Sequence, residues 1–419
     1  MAAIDELLTG ATADLGFQES FYQAMHKNPE LSGQEAETAE MIAQKLADFD
    51  CTVTRDIGGH GMVAVFDNGP GPVVLMRADF DGLPVKEQTG APFASKKVVN
   101  GKDGNPTFVM HACGHDMHTT ALLGACAILD SLRENWSGTF IALFQPAEED
   151  STGAQAMVDG KLAAIIPKPD VCLGQHVVPG PSGQVMTMPG AALAACDSLT
   201  ITIHGRSAHG SMPHNSIDPT FIAAMIVIRL QAIVGREVSP EDFAVVSVGT
   251  LESGHSNNTI PGEAKLTLNC RFYDEELKKR VYRSIERVVR AECQASGCEK
   301  EPDFEWFAHG ELTNNDPQVF SRVRATFDKV FGDDSVTATR WTASEDFPFI
   351  PLAFGVPYLF WTVGVTPRTQ WHTAEAHGRL DRDIPVNHMG TFLPSYVPGI
   401  QACTKAAAAA SLTYLAHGH

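Results

Sequence analysis

Positive charge is scarce in this chain: 31 Lys and Arg stand against 50 Asp and Glu over 419 residues, a formal net charge of −19. Such a surplus repels phosphate backbones and anionic lipid, so nucleic acid and acidic membrane surfaces are not expected as partners. No apolar run reaches the ~20 residues that a bilayer-spanning helix needs. The opening Met1-Ala2-Ala3-Ile4-Asp5-Glu6-Leu7-Leu8 lacks the basic region and apolar core of a secretory leader. A cytoplasmic location is the expectation. The nine cysteines, scattered from Cys51 to Cys403, are odd in number and suggest no disulfide framework. Cys126, Cys172, Cys270 and Cys293 sit in apolar surroundings and read as small core residues. Repeats and low-complexity linkers are absent as well.

What is present is the composition of a globular protein, 44% hydrophobic and 19% charged. The length exceeds one ordinary core, so two domains are expected. The pattern opens with a helix over Leu15 to His26 and a second starting at Ser32, where Ser32-Gly33-Gln34-Glu35 has capping-box spacing. Apolar runs Met62 to Phe66 and Val73 to Met76, parted by Asp67-Asn68-Gly69-Pro70-Gly71-Pro72, predict a hairpin. Buried strands over Thr139 to Phe144 and Pro169 to Gly174 then alternate with helices. That alternation predicts an α/β fold with a mostly parallel central sheet, helices covering both faces. From Asp197 to about Phe307 the strands alternate apolar and polar in the order βαββαβ. This is the ferredoxin-like split unit with one wet sheet face. The expected division is a catalytic domain over 1–196 and 309–419, with an inserted domain over 197–308. The α/β pattern resumes with a helix from Gln318 and ends in an alanine-rich helix around Ala406 to Tyr414.

The segment Met110 to Thr120 packs His111, Cys113, His115, Asp116 and His118 in front of an apolar helix. A group of nitrogen, sulfur and carboxylate ligands at a helix mouth suits a metal ion. Asp79 and Asp81, Glu148 and Glu149, and His176 each fall just past an apolar strand. In open α/β sheets that edge is where ligands bind. Cys113, His115, one of Glu148/Glu149, and His176 therefore form a candidate set for a zinc-like ion. Adjacent glutamates on a loop do not readily bind one ion in the same way. One can ligate while the other takes a proton from activated water.

Six segments resemble the M20 metallopeptidase superfamily: His26-Lys27-Asn28-Pro29-Glu30-Leu31-Ser32, Arg77 to Pro84, His111 to His118, Gln145-Pro146-Ala147-Glu148-Glu149, Gly174-Gln175-His176 and Ser344-Glu345-Asp346-Phe347. More narrowly they are similar to its aminoacylase and amidohydrolase branch, which includes hippurate hydrolases, hydrolases of indole-acetyl amino acids and N-acyl-glutamine aminoacylases. The resemblance implies two divalent metal ions, zinc first and manganese or cobalt as alternatives. Their ligands would be Cys113, His115, Glu149, His176 and His388, with Glu148 as general base. His388 is preferred to His372 and His377 because Asn387-His388-Met389-Gly390-Thr391-Phe392-Leu393-Pro394 resembles the family's pattern, although Met389-Gly390 replaces the usual Ser-Pro. Asp81 and Asp116 would support the ligands from behind. The inserted domain would be a lid and dimerisation domain in a homodimer or dimer-based homotetramer. There His209 would stabilise the oxyanion, often from the partner subunit, and Asn258 and Arg271 would hold the substrate carboxylate.

The implied reaction is hydrolysis of N-acyl-L-amino acids to a carboxylic acid and a free amino acid. A dipeptide hydrolase of the same superfamily is one rival. A catalytically silent, metal-stabilised binding protein is another, and retention of Glu148 beside the ligands speaks against it.

Overall fold

The strand Val73–Asp79 is buried from Val74 onward and organises the larger sheet. A strand apolar on both faces needs a partner along each edge. Val73–Asp79 finds them in parallel Gly138–Gln145 and parallel Val171–Pro181. The computed structural model describes residues 3–101 and 104–417. Across the eight-stranded sheet the order is Thr52–Ile57, Gly61–Asn68, Gly138–Gln145, Val73–Asp79, Val171–Pro181, Tyr358–Thr366, Val185–Thr187 and Ser335–Thr337. The expected hairpin between Met62 and Met76 does not form, because Gly138–Gln145 separates the two strands and pairs with both. Tyr358–Thr366 runs parallel to Val171–Pro181.

The chain divides into two compact units, Met1–Ala192 with Asn314–Arg340 and Asp346–His419, and Leu193–Thr313 with Trp341–Glu345. The short return of Trp341–Glu345 to the second unit has no sequence signal. It is held there by the Leu193–Trp341 bridge and by Ala194 N–H donating to the Ala343 carbonyl at 3.0 Å.

In the first unit the helix His115–Ser131 is buried on every side from His115 to Leu129, as an apolar run without amphipathic stripe requires. The alanine-rich helix extends over Tyr396–Leu415 and packs against it. The N-terminal helices run over Ile4–Gly10, Gln18–Lys27 and Ala36–Leu46. The third starts four residues later than the Ser32 cap implied. Ser32 spends its hydroxyl on Asp81 at 2.7 Å, and the Thr38 N–H is capped by Glu30 Oε2 at 2.7 Å.

In the second unit a four-stranded antiparallel sheet is ordered Ala244–Ser253, Glu263–Phe272, Ala195–His204, Asp303–Gly310. The strict alternation of buried and half-buried residues along Ala195–His204 matches its one-sided core. Helix Glu275–Ala295, capped by Asp274, buries Leu277, Val281, Ile285 and Val289. Helix Pro219–Glu237, capped by Asp218, buries Ile222, Ala223, Ile226, Leu230 and Ile233 in the same core. At 19 residues this helix is long and apolar enough to cross a membrane by length and composition alone. Those five buried residues already spend one of its faces on the sheet. Phe221 and Ile228 on the same helix stay exposed.

Candidate metal centre

Gly114 opens the site. Its φ of +83° is the left-handed conformation that only glycine adopts without cost, and a Cβ there would lie 2.3 Å from Val177 Cγ2. The turn leaves Cys113 just before the helix and His115 as its first residue. Both are buried, and so is His176, which lies within strand Val171–Pro181 rather than beyond its end. Cys113 Sγ lies 3.4 Å from His176 Nε2. Ligand atoms of Cys113, His115 and His176 lie within 4.8 Å of one another, as do those of Cys113, Glu149 and His388, and those of His115, Glu148 and Glu149. The five expected ligands and the expected base thus form one connected cluster. His388 reaches it from the far end of the chain, its Nε2 3.3 Å from Glu149 Oε2 and its N–H bonded to the Ala112 carbonyl. Its φ of +72° is strained for histidine. Gly390 is required two residues on, since a Cβ there would meet the Lys86 carbonyl oxygen at 2.4 Å.

The loop after strand Gly138–Gln145 carries the paired glutamates. Ala147 has φ +50° and Ser151 φ +53°, so the chain doubles back, with Ser151 N–H donating to the Glu148 carbonyl at 2.6 Å. Three buried carboxylates from separate segments pin the loop's amides. Glu35 accepts from Ala147, Asp81 from Glu149 and Asp346 from Ala154, at 2.9, 3.0 and 3.0 Å.

The donor set suits a divalent cation. His115 Nε2 and Glu149 Oε1 are buried without a hydrogen-bond partner, an arrangement costly to both unless an ion is bound. Asp79, Asp81, Glu148 and Glu149 crowd His115. Burial opposes charge on His115, yet Asp79 and Asp81 outweigh it and raise its pKa to about 10. Burial, reinforced by His118, pushes His176 well below its usual value, which favours the neutral imidazole, the form able to bind a metal. Burial together with Glu149, Glu148 and Asp79 pushes the Cys113 thiol far up. A cation in the cluster reverses that logic and favours thiolate.

Behind the ligands, Asp81 is bonded to His115 Nδ1 at 3.0 Å and orients its ring. Asp116, expected to support the ligands from behind, has its side-chain partner in the N-terminal helix. It pairs with His26 Nδ1 at 2.7 Å, while Glu87 takes His26 Nε2 at 3.1 Å, so both ring nitrogens of buried His26 meet carboxylates. His111 donates to or accepts from no ligand, its Nδ1 lying 3.1 Å from the Asp81 carbonyl oxygen. His118 bridges Asp79, at 2.6 Å, and the Val177 amide, at 2.8 Å. His372 lies in the helix Arg368–Ala376 with His377 at its end, and both are exposed. Sequence reasoning missed Ser32, Glu35, and Asn387, whose amide reaches the Val177 carbonyl at 3.1 Å and Cys113 Sγ at 3.7 Å. Asn387 was visible inside the Asn-His pattern; Glu35 stood out only in the capping-box spacing, which points to a different role.

The remaining expected residues belong to the second unit. His209 and Asn258 are brought together there, His209 pairing with Thr259 across a two-stranded ribbon. The Ser211 amide donates to His209 Nδ1 at 3.2 Å and Ser211 Oγ lies 2.8 Å from the same nitrogen, which leaves Nε2 as the ring's donor. Arg271 lies eight residues beyond Glu263, the first residue of strand Glu263–Phe272, about 26 Å along it at ~3.3 Å per residue. Its guanidinium is bonded to Asn269, the Thr342 carbonyl and Ser344.

A sequence profile of peptidase family M20/M25/M40 matches residues 75–388. The chain is 36% identical to a hippurate hydrolase of Campylobacter jejuni over 335 residues, 79% of this chain and 84% of that one. It is 38% identical to an N-acyl-L-amino acid amidohydrolase of Geobacillus stearothermophilus over 285 residues, 67% of this chain and 74% of that one. Among solved structures, the YxeP protein of Bacillus subtilis, described as a dinuclear metal binding peptidase, superposes with a TM-score of 0.76 at 25% identity. That match covers 96% of this chain and 98% of the other.

Proposed function

This chain belongs to peptidase family M20/M25/M40 and is a hydrolase of amide bonds, and we propose that its substrates are N-acyl-L-amino acids, cleaved to a carboxylic acid and a free amino acid. The observation that carries this reading is the position of Glu148, a buried carboxylate grouped with His115 and Glu149. Cys113, His115, Glu149, His176 and His388 would hold two divalent ions, zinc in the first instance and manganese or cobalt as alternatives. Once bound, such ions lower the pKa of water to about 7 and polarise a carbonyl oxygen. Glu148 takes the proton of the attacking water and passes it to the leaving nitrogen. Asp81 keeps the His115 ring fixed while charge moves, and Asp79 does the same for His118.

His209 is assigned to the negative charge that develops on the carbonyl oxygen, a role its Nε2–H suits. Asn258 and Arg271 are assigned to the substrate carboxylate, for which a guanidinium fork is suited. In a homodimer or dimer-based tetramer, His209 and Asn258 would serve the site of the partner subunit. Exposed Phe221 and Ile228 offer apolar side chains to such a contact. A reducing, cytoplasmic setting is supported by nine free thiols.

Metal analysis coupled to a product-release assay, run over N-acyl amino acids and dipeptides, tests the reading. N-acyl amino acids are expected to be the faster substrates. Preference for dipeptides would move the protein to the rival peptidase reading, and full metal occupancy with no turnover would leave a binding protein. His209→Ala is expected to lose about a hundredfold or more in kcat with metal retained, the scale for an oxyanion donor. Mixed dimers of His209→Ala and Glu148→Gln chains should regain activity if His209 acts across subunits. Demonstrated mixed dimers that stay inactive would remove that assignment.

A further inference from the structure

Glu35 is fully buried, and the function described so far makes no use of it. It directly precedes helix Ala36–Leu46, yet its carboxylate does not cap that helix, whose Thr38 amide is served by Glu30. Glu35 Oε1 instead accepts from Gly33 N–H at 2.8 Å and, 112 residues along the chain, from Ala147 N–H at 2.9 Å. Its Oε2 is buried without a partner. A buried carboxylate with one oxygen unpaired is costly, so a local helix-end role does not account for it.

The far partner is the informative one. Ala147 directly precedes Glu148 and has φ +50°, a conformation unfavourable to any residue with a Cβ. On the other side of the residue the Ala147 carbonyl accepts from Gly153 N–H at 3.0 Å, and the turn is so tight that a Cβ on Gly153 would lie 1.6 Å from the Pro146 oxygen. Strained backbone persists where its surroundings over-determine it. The Ala147 amide has one such tether, and it is Glu35.

We propose that Glu35 is a positioning residue for proton transfer: by accepting from Ala147 N–H it holds the left-handed turn that directs Glu148 toward the water and Glu149 toward the metal. Glu35 touches neither substrate nor ion, and acts through the backbone of the base. This rests on the reading of Glu148 as general base.

The test compares Glu35→Gln, which keeps an acceptor oxygen, with Glu35→Met, which has similar length and none. Glu35→Met is expected to lose at least about thirtyfold in kcat, with KM within about threefold and metal content unchanged, while Glu35→Gln stays within about fivefold of wild type. In the Glu35→Met background, Ala147→Gly should recover at least about fivefold in kcat, because glycine adopts φ +50° without a tether. Should Glu35→Met fail to fold, Glu35→Ala takes its place in the same comparison. Normal kcat in the non-acceptor variant overturns the proposal, as does a loss carried by KM, or a glycine substitution that restores nothing. Glu148→Gln assayed alongside separates the two ideas. An active Glu148→Gln removes the base assignment itself, whereas an inactive one beside a fully active Glu35→Met removes only the role of Glu35.

Discussion

Glu148→Gln is expected to retain fold and metal and to lose about a thousandfold in kcat, within the range for a general base and equal to about 4 kcal/mol of transition-state stabilisation. Glutamine keeps the volume of the side chain and its acceptor oxygen, so the loop pinned by Glu35, Asp81 and Asp346 has no reason to move. What disappears is the capacity to take a proton. Because Glu148 is separate from the five expected ligands, its loss should leave the ion count unchanged and KM little altered. That split distinguishes a base from a ligand. Metal analysis with steady-state kinetics on one preparation reads both, and near-normal turnover would end the assignment.

Cys113→Ala should act the other way, through the ion. Cys113 takes part in two of the ligand groupings, with His115 and His176 and with Glu149 and His388, so it lies where the two halves of the centre meet. Removing its sulfur should lower bound metal below two ions per chain and cut activity at limiting metal by at least about a hundredfold, more than the 10–100-fold typical of losing a group behind a ligand. Excess metal should restore part of that loss, which it will not do for Glu148→Gln. Cys126→Ala is the control, since that buried thiol lies within the helix that follows Cys113, away from the cluster, and should leave metal content unchanged. Full occupancy in Cys113→Ala would sink the ligand assignment.

The features legible in the sequence are those with a local signature. Alternation along Ala195–His204 and the stripe of Leu277, Val281, Ile285 and Val289 gave the antiparallel second unit, because one-sided burial writes a period into the chain. The dense run from His111 to His118 and the adjacent glutamates were legible by residue type. What was hidden depends on partners far along the chain. Ser32 has the spacing of a cap, but its hydroxyl goes to Asp81, a competition that no local window contains. Asp116 lies beside a ligand in sequence, yet its partner is His26, 90 residues away. The hairpin expected around Gly69 failed because strand Gly138–Gln145 offers Val73–Asp79 a parallel edge in the buried centre of the sheet. Local turn residues could not report that competitor.

The order of the ligands along the chain has a consequence for how the protein is made. Cys113, His115, Glu149 and His176 all precede the second unit, whereas His388 follows it. A growing chain therefore emerges with four of the proposed ligands, completes the whole of Leu193–Thr313, and only then delivers the fifth. Helix Tyr396–Leu415, which packs on the helix begun by His115, emerges later still. On the five-ligand reading, full metal loading is a late event in biosynthesis, and a chain that stops short of His388 carries most of a metal site that it cannot close.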